Sequence, residues 1–530
     1  MKIKKILSCK HTSTVNRKRR IINQEDACMP VEVLGMDIGE WTKFRFGLID
    51  MNGCQVDSVL WDVGMGSDSY SVWFDNGMPP EDFPGLDKWR KQGVDFPETL
   101  VAESHKRGLE AFWNERISEI DLPHPYQSGC PFDSPLRENH LKKAHPDWTV
   151  KCWWPHGLWN LASAGLREHK VKMLSKLIER YDFDGIQLDF ARHTPCLPPG
   201  KEWENREHAT EFVRMVRRML LKMEDKRGGP LLLAVRVAEN IPGCNADGFD
   251  VEKWAGEELV DIFTLGGRTA EVDIASFKKI TAGKNIKLCP QFDGHHTNDG
   301  YYFPPTEYFR GVFSNWLEQG ADSVGVFNWT CAPAAMYDAL GLPPDMKCKS
   351  QETALFEAGS LEGMASGSKI YAAERSGYYP WAGNYTYKNE IRPLPLNASC
   401  LGESSVEFPV SIYGNFSEKD YRGTLDIICW NLLAEEMAAA ELNGKALKLK
   451  NIDGNWSDPQ IYCDKPQVTA GAWKAFPIAP EYKLMKMSFD FNPDLIKRGV
   501  NHIIIKLKID STFAKMKTIE KTELCLTALK

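Results

Sequence analysis

A chain of 530 residues, 43% hydrophobic and 26% charged, has room for a large core and a second domain, and this ordinary globular composition excludes a fibrous or disordered protein. A formal net charge of −7 gives no basic footprint, which excludes nucleic acid as an expected partner. No window approaches the roughly 20 apolar residues of a membrane helix, and the 14 cysteines include no Cys-x-x-Cys pair, so reduced thiols are expected rather than a zinc or disulfide framework.

In chain order, residues 1–16 read as a loose basic tail. Its apolar run, Ile6-Leu7, is too short for the core of a signal peptide, and a cytoplasmic protein is expected. From 17 to 345 strand-like and helix-like segments alternate, the mark of parallel strands joined by helical crossovers. Strands are expected at 20–23, 56–63, 109–114, 186–189, 231–237, 260–265, 286–292 and 323–327. Between them lie helices such as 96–107, which stops at Gly108, and a helix capped by Ser163 that runs to about Arg180. Eight strands over this length fit a (β/α)8 TIM barrel better than an open doubly wound sheet. Residues 346–368 form a linker, and strand signals then dominate from 369 to 530. Short β-rich runs at 408–412, 424–428 and 502–507, with the hairpin dipeptide Asn443-Gly444, indicate an all-β sandwich domain.

The most informative stretch is Asp184-Gly185-Ile186-Gln187-Leu188-Asp189. Strand alternation sends Ile186 and Leu188 towards the helices and Gln187 and Asp189 into the barrel. A carboxylate at the C-terminal end of a barrel strand occupies the place where such barrels hold their active sites. Asp189 is therefore the leading catalytic candidate, whereas Asp184, at the strand's beginning, reads as a turn or capping residue. Glycosidic hydrolysis needs a second carboxyl group. Glu239 follows the fifth strand, but strand parity turns Arg236 inward and not Glu239, so its role requires a turn after Ala238. Glu115 after the third strand and Asp293 after the seventh are rivals. Arg116, Arg192 and Arg236 stand at strand ends where they could keep Asp189 ionised. Trp154, His295, Asn328 and Trp329 complete the set expected to contact substrate, and Trp113, Trp153 and Trp159 are further aromatics that could flank a sugar-binding cleft or simply pack in the core. No His-x-His occurs on the first strand and His295-His296 would point apart, so no metal and no cofactor is expected. No Gly-x-Ser-x-Gly elbow follows a strand, which excludes a serine hydrolase of that type.

The runs His105-Lys106-Arg107-Gly108-Leu109-Glu110, His145-Pro146-Asp147-Trp148, Leu161-Ala162-Ser163 with Leu166-Arg167-Glu168, and Glu179 through Arg192 resemble the family 10-like glycosyl-hydrolase barrels common in polysaccharide-degrading bacteria. Weaker matches continue through Gly248-Phe249-Asp250-Val251 and Leu259-Val260-Asp261 to Val326-Phe327-Asn328-Trp329. The resemblance spans about residues 18–345 and implies a glycoside hydrolase acting on a poly- or oligosaccharide. Similar strand-four acids occur in the α-amylase clan, where the partner is a Glu after strand five, the position of Glu239. This chain departs from that pattern in having Gln187 where an Arg would precede the nucleophile. The alternatives are a non-catalytic glycan-binding protein on a degenerate barrel, or a barrel lyase or transglycosylase. The sugar, the linkage and the oligomeric state stay open.

Overall fold

The structure, a computed structural model, describes residues 7–28, 31, 35–62, 84–118, 121, 138–267, 269–293, 304–329, 349–374, 394–399, 402–456, 484–509 and 516–529. Its first part contains β1 (Ile21–Asp26), β2 (Val56–Asp62), β3 (Glu110–Arg116), the short pair β4 (Thr149–Val150) and β5 (Leu158–Trp159), then β6 (Gly185–Asp189), β7 (Leu232–Val237), β8 (Ile262–Gly267), β9 (Lys287–Asp293) and β10 (Val324–Phe327). All but β4 and β5 form one closed barrel in the order β1-β10-β9-β8-β7-β6-β3-β2, with every neighbouring pair parallel. This is the expected TIM barrel. Its strands begin or end one to three residues from the expected positions, the largest shift being β1 and its continuation to Asp26.

The lumen is layered. At the N-terminal end Ile22, Leu60, Phe112, Leu232, Ala234, Ile262 and Cys289 form an apolar plug with Val15. Gly185 is required here: a β-carbon at that position would lie 2.4 Å from the Leu232 carbonyl oxygen and 2.6 Å from the Phe112 ring. The glycine of the Asp-Gly motif thus makes room for a neighbour's side chain inside the barrel. The Asp184 side chain accepts from the Ala111 amide at 2.8 Å, which ties β6 to β3 at their starts. Above the apolar layer the lumen becomes polar, as described below.

Residues 9–15, expected within a loose tail, instead form the helix Cys9–Val15, capped by Ser8. It closes the bottom of the barrel through Val15 and through His11. The two ring nitrogens of His11 lie 2.7 Å from a Glu224 oxygen and 3.1 Å from an Asp261 oxygen. Arg217 grips Asp261 with two bonds of 2.8 Å. The basic residues around this segment hid a short amphipathic helix whose one apolar anchor, Val15, is too little for a periodicity signal.

The second part comprises β11 (Lys369–Ala372), β12 (Leu396–Asn397), β13 (Glu403–Ile412), β14 (Tyr421–Trp430), β15 (Met437–Leu442), β16 (Lys445–Ala446), β17 (Lys448–Trp456), β18 (Leu484–Phe491), β19 (Gly499–Lys508) and β20 (Thr518–Ala528). One sheet runs β11-β20-β14-β18-β17, with β12 also on β20, and the other runs β13-β19-β15-β16. Alternate residues of both, including Phe408, Ile412, Leu425, Ile427, Ile503 and Ile505, meet in one core, the arrangement of a sandwich. Asn443 and Gly444 join β15 to β16 with φ of 52° and 78°, the two positive values a type I′ hairpin turn needs. The sandwich packs on the barrel helix Thr306–Glu318, where Gly311 leaves space for the Ile370 carbonyl and Asn315 accepts from the Tyr413 amide at 2.9 Å. Among the described residues no helix is long and apolar enough to cross a membrane.

Candidate active site

The polar layer of the lumen is a directed hydrogen-bond network. Thr264 Oγ1 donates to Gln187 Oε1 at 2.7 Å. Gln187 Nε2 donates to Gln24 Oε1 at 3.0 Å and to Asn114 Oδ1 at 2.8 Å, and Gln291 Nε2 adds a 2.9 Å bond to Gln24. The remaining amide protons are passed upward, from Gln24 Nε2 to Asp189 Oδ2 at 3.4 Å and from Asn114 Nδ2 to Asp62 Oδ2 at 2.7 Å. Gln187, the departure from the amylase pattern, is the hub that fixes the orientation of this layer.

Two acid–arginine groups stand above it. Asp189, fully buried, accepts from Arg236 Nη1 at 2.9 Å through Oδ2 and from the Ala191 amide at 3.1 Å through Oδ1. The Arg236 Nε donates to the Gly266 carbonyl at 2.8 Å. On the adjoining strand β3, Arg116 Nε lies 2.6 Å from Asp62 Oδ2 and its other arm reaches Asp26. Asn328, at φ 58°, accepts from the Asp26 amide at 3.0 Å and donates to its side chain at 2.9 Å. Burial opposes ionisation of Asp26, but the charges of Arg116, Arg192 and Arg45 and the Asn328 hydrogen bond outweigh it and hold the carboxyl below its ordinary range. The Arg192 and Arg236 guanidiniums sit 5.5 and 5.1 Å from the centre of the Phe327 ring.

Glu239 reaches this region by the turn its parity demanded. β7 ends at Val237, and Asn240 caps the next helix, Ile241–Ala246, by accepting from Gly243 N at 2.7 Å, so the chain leaves strand geometry before Glu239. Its side chain lies across Gly266, whose φ is +74° and where a β-carbon would come within 2.6 Å of Glu239 Cγ. Ala191, Thr194, Arg236, Ala238, Glu239, Asp247 and Gly266 line one recess at the C-terminal end of β6 to β8. Trp153 borders it, donating from Nε1 to the Thr194 carbonyl at 2.8 Å.

The other expected residues are dispersed. Glu115 faces outward from β3, pairing with Lys170 at 2.9 Å and accepting from Trp113 at 3.2 Å, among the helices rather than over the lumen. Trp154 is buried against Asp121, to which it donates at 2.6 Å. Trp159 lies between the ammonium groups of Lys142 and Lys170. Trp329 packs in the helix layer against Phe309, 4.7 Å between ring centres, and Phe313. Asp293 ends β9, but its side chain and His295 lie outside the described residues. Among the described residues the one grouping of three metal-type ligands, Asp426, Glu523 and Cys525, is on the sandwich.

Asp26, Asp62, Gln24 and Asn114 were missed as site residues. The signal was available: each shares inward parity with an apolar lumen residue, Ile22, Leu60 or Phe112, two or four positions earlier.

No protein-family model matches the chain, and no curated protein does. Solved structures with a similar fold include the glycoside hydrolase domain of PelA from Pseudomonas aeruginosa, at 11% identity over 58% of this chain and 94% of that one with a TM-score of 0.30. The C-terminal domain of a chitinase-designated protein from Desulfitobacterium hafniense matches at 12% identity over 65% and 100%, with a TM-score of 0.38. The PgaB (BpsB) glycoside hydrolase domain from Bordetella bronchiseptica matches at 10% identity over 65% and 99%, with a TM-score of 0.40.

Proposed function

We propose that the chain is a glycoside hydrolase of a poly- or oligosaccharide, with Asp189 as nucleophile or base and Glu239 as general acid. The observation that carries this reading is that Arg236, which lines a recess at the C-terminal end of the barrel together with Glu239, also holds Asp189. Arg236 holds Asp189 and the Gly266 carbonyl, while Glu239 lies over the same glycine. Cleavage of a glycosidic bond asks for one carboxylate kept ionised to attack the anomeric carbon or activate water, and one carboxyl able to give its proton to the departing oxygen. Arg236 gives Asp189 a cationic hydrogen-bond partner, and a turn residue at the wall of the recess suits proton delivery from the side. Trp153 and Arg236 would contact the sugar.

A non-catalytic glycan-binding role on the same barrel is favoured by one feature, that both oxygens of the fully buried Asp189 are already engaged. Reducing-sugar release from a panel of polysaccharides and aryl glycosides, by the native protein and by Asp189→Asn with folding checked, separates the two. Release that the substitution abolishes supports hydrolysis. Binding of an oligosaccharide without release, unchanged by the substitution, supports the second reading.

A further inference from the structure

Trp203 stands apart from the other described tryptophans, which are buried or half-buried: it is 41% exposed. It lies on the loop that leaves Asp189, just before the helix Arg206–Arg227 starts, and barrel topology puts that turn on the same face as the strand ends that carry the candidate acids. The loop is stiff. Lys201 N bonds to Pro198 O at 3.0 Å, Asn205 N to Lys201 O at 3.1 Å, and Arg206 Nη1 donates to Trp203 O at 2.8 Å. The Arg206 guanidinium also covers the indole at 4.4 Å from its ring centre, which holds the ring in place.

The loop touches the wall of the recess. Gly248 packs so tightly under the Glu202 carbonyl that a β-carbon there would come within 2.4 Å of it, and its neighbour Asp247 lines the recess with Glu239. A single exposed apolar residue is ordinary on a protein surface. An indole backed by an arginine, fixed by a hydrogen-bonded turn and set beside a site of carboxylates and arginines is a more specific object. Its flanks, Lys201 and Glu204, are exposed and charged, unlike the continuous apolar patch that a protein partner would cover. A pyranose ring suits this surface: its C–H face can lie on the indole while its hydroxyls stay in water or meet the flanking charges.

We propose that Trp203 is a carbohydrate platform at the rim of the barrel, binding a sugar unit of the chain beyond the one held in the recess. The assignment rests on the glycoside hydrolase reading and extends it to a polymeric substrate that runs along the loop after β6. The test is affinity electrophoresis of the full chain in gels containing xylan, laminarin, glucomannan, pectin or alginate, with Trp203→Ala, Trp203→Phe and the native protein side by side. Because Trp203 is exposed, melting temperatures of the variants should match the native value and confirm folding. Retardation of the native protein by at least one polymer, weakened about tenfold in Trp203→Ala and partly kept in Trp203→Phe, is the expected result. Equal retardation of native protein and Trp203→Ala would overturn the platform and leave the hydrolase reading standing. Sugar release without any retardation of the native protein would overturn it as well. Neither retardation nor sugar release would overturn both.

Discussion

The proposed roles of Asp189 and Glu239 can be told apart by the leaving group. An alkyl or sugar oxygen departs poorly unless protonated, whereas an activated aryl oxygen departs as a stable anion and needs no acid. Glu239→Gln keeps the side chain's shape over Gly266 and removes only the transferable proton. The kcat/KM for polysaccharide should fall roughly 10²- to 10⁴-fold, about 3–5.5 kcal/mol in barrier height, while kcat/KM for a dinitrophenyl glycoside, which reports departure of the leaving group under either mechanism, should stay near the native value. Asp189→Asn removes the attacking or water-activating charge, so both substrates should slow by a similar factor. The same change leaves Arg236 facing an amide 2.9 Å away, and about 3–5 kcal/mol, the cost of unpairing a buried ion, is an upper bound on the lost stability because the amide oxygen can still accept. Assays should therefore be run well below the variant's melting temperature. Steady-state kinetics on the two substrate classes give the answer. An equal fall of kcat/KM on both by Glu239→Gln, or selective loss of the polysaccharide in Asp189→Asn, would refute the assignment.

Gly266→Ala should act on chemistry and stability together: the added methyl lies 2.6 Å from Glu239 Cγ at a φ of +74°, so melting should drop by an amount corresponding to about 1–2 kcal/mol, with turnover of polysaccharide reduced more than that of the dinitrophenyl glycoside. Lys170→Met removes the ammonium 2.9 Å from the buried Glu115 and should cost up to about 3–5 kcal/mol in chemical denaturation, yet the folded variant should keep its turnover at low temperature; a specific loss of turnover would place Glu115 in the chemistry after all. His11 carries a pH signature. Burial lowers its pKa, but the hydrogen bonds and charges of Asp261 and Glu224 more than compensate and raise it above 6.5; the stability it gives is fully present below that ordinary value and lost as pH rises through the raised one. Thermal melts from acid to alkaline pH should show this decline in the native protein and a flatter profile in His11→Gln, and superimposable profiles would mean that His11 does not titrate as its two carboxylate neighbours require.

The barrel was legible because its strands alternate with amphipathic helices and because Asp184-Gly185 marks a strand start. The motif glycine could be recognised, but not its reason, which lies in the Phe112 ring of the neighbouring strand. The inward position of Asp189 was legible from parity alone. Glu239 was named from its place after the fifth strand, but its approach to Gly266 was not legible, since that depends on the chain turning between Val237 and Asn240. Glu115 failed for the opposite reason: its place in sequence resembles that of Asp189, but β3 carries Asn114 and Arg116 inward, and one step of register sends the acid to Lys170. The tryptophans misled most. Their number suggested a sugar cleft, yet Trp154 and Trp329 are buried, and exposure, which singles out Trp203, is invisible in a sequence.

The cost of the polar layer argues for function. A lumen filled by apolar side chains above Phe112 would bury no amide and no charge, and replacing buried ion pairs with well-packed hydrophobic residues is often neutral or stabilising. Here Gln24, Asn114, Gln187, Thr264 and Gln291 are all buried, and their donors are ordered so that the last protons point at Asp189 and Asp62. Such a network fixes side-chain positions that an apolar layer would not. The two carboxylates it serves are each gripped by an arginine from the neighbouring strand, Asp189 on β6 by Arg236 of β7 and Asp62 on β2 by Arg116 of β3, so their positions are set before any ligand arrives. Preorganisation of this kind is what a site must have when it stabilises charge developing during a reaction. Stability alone would have been better served by leucine, and that is why the chemistry is sought at this end of the barrel.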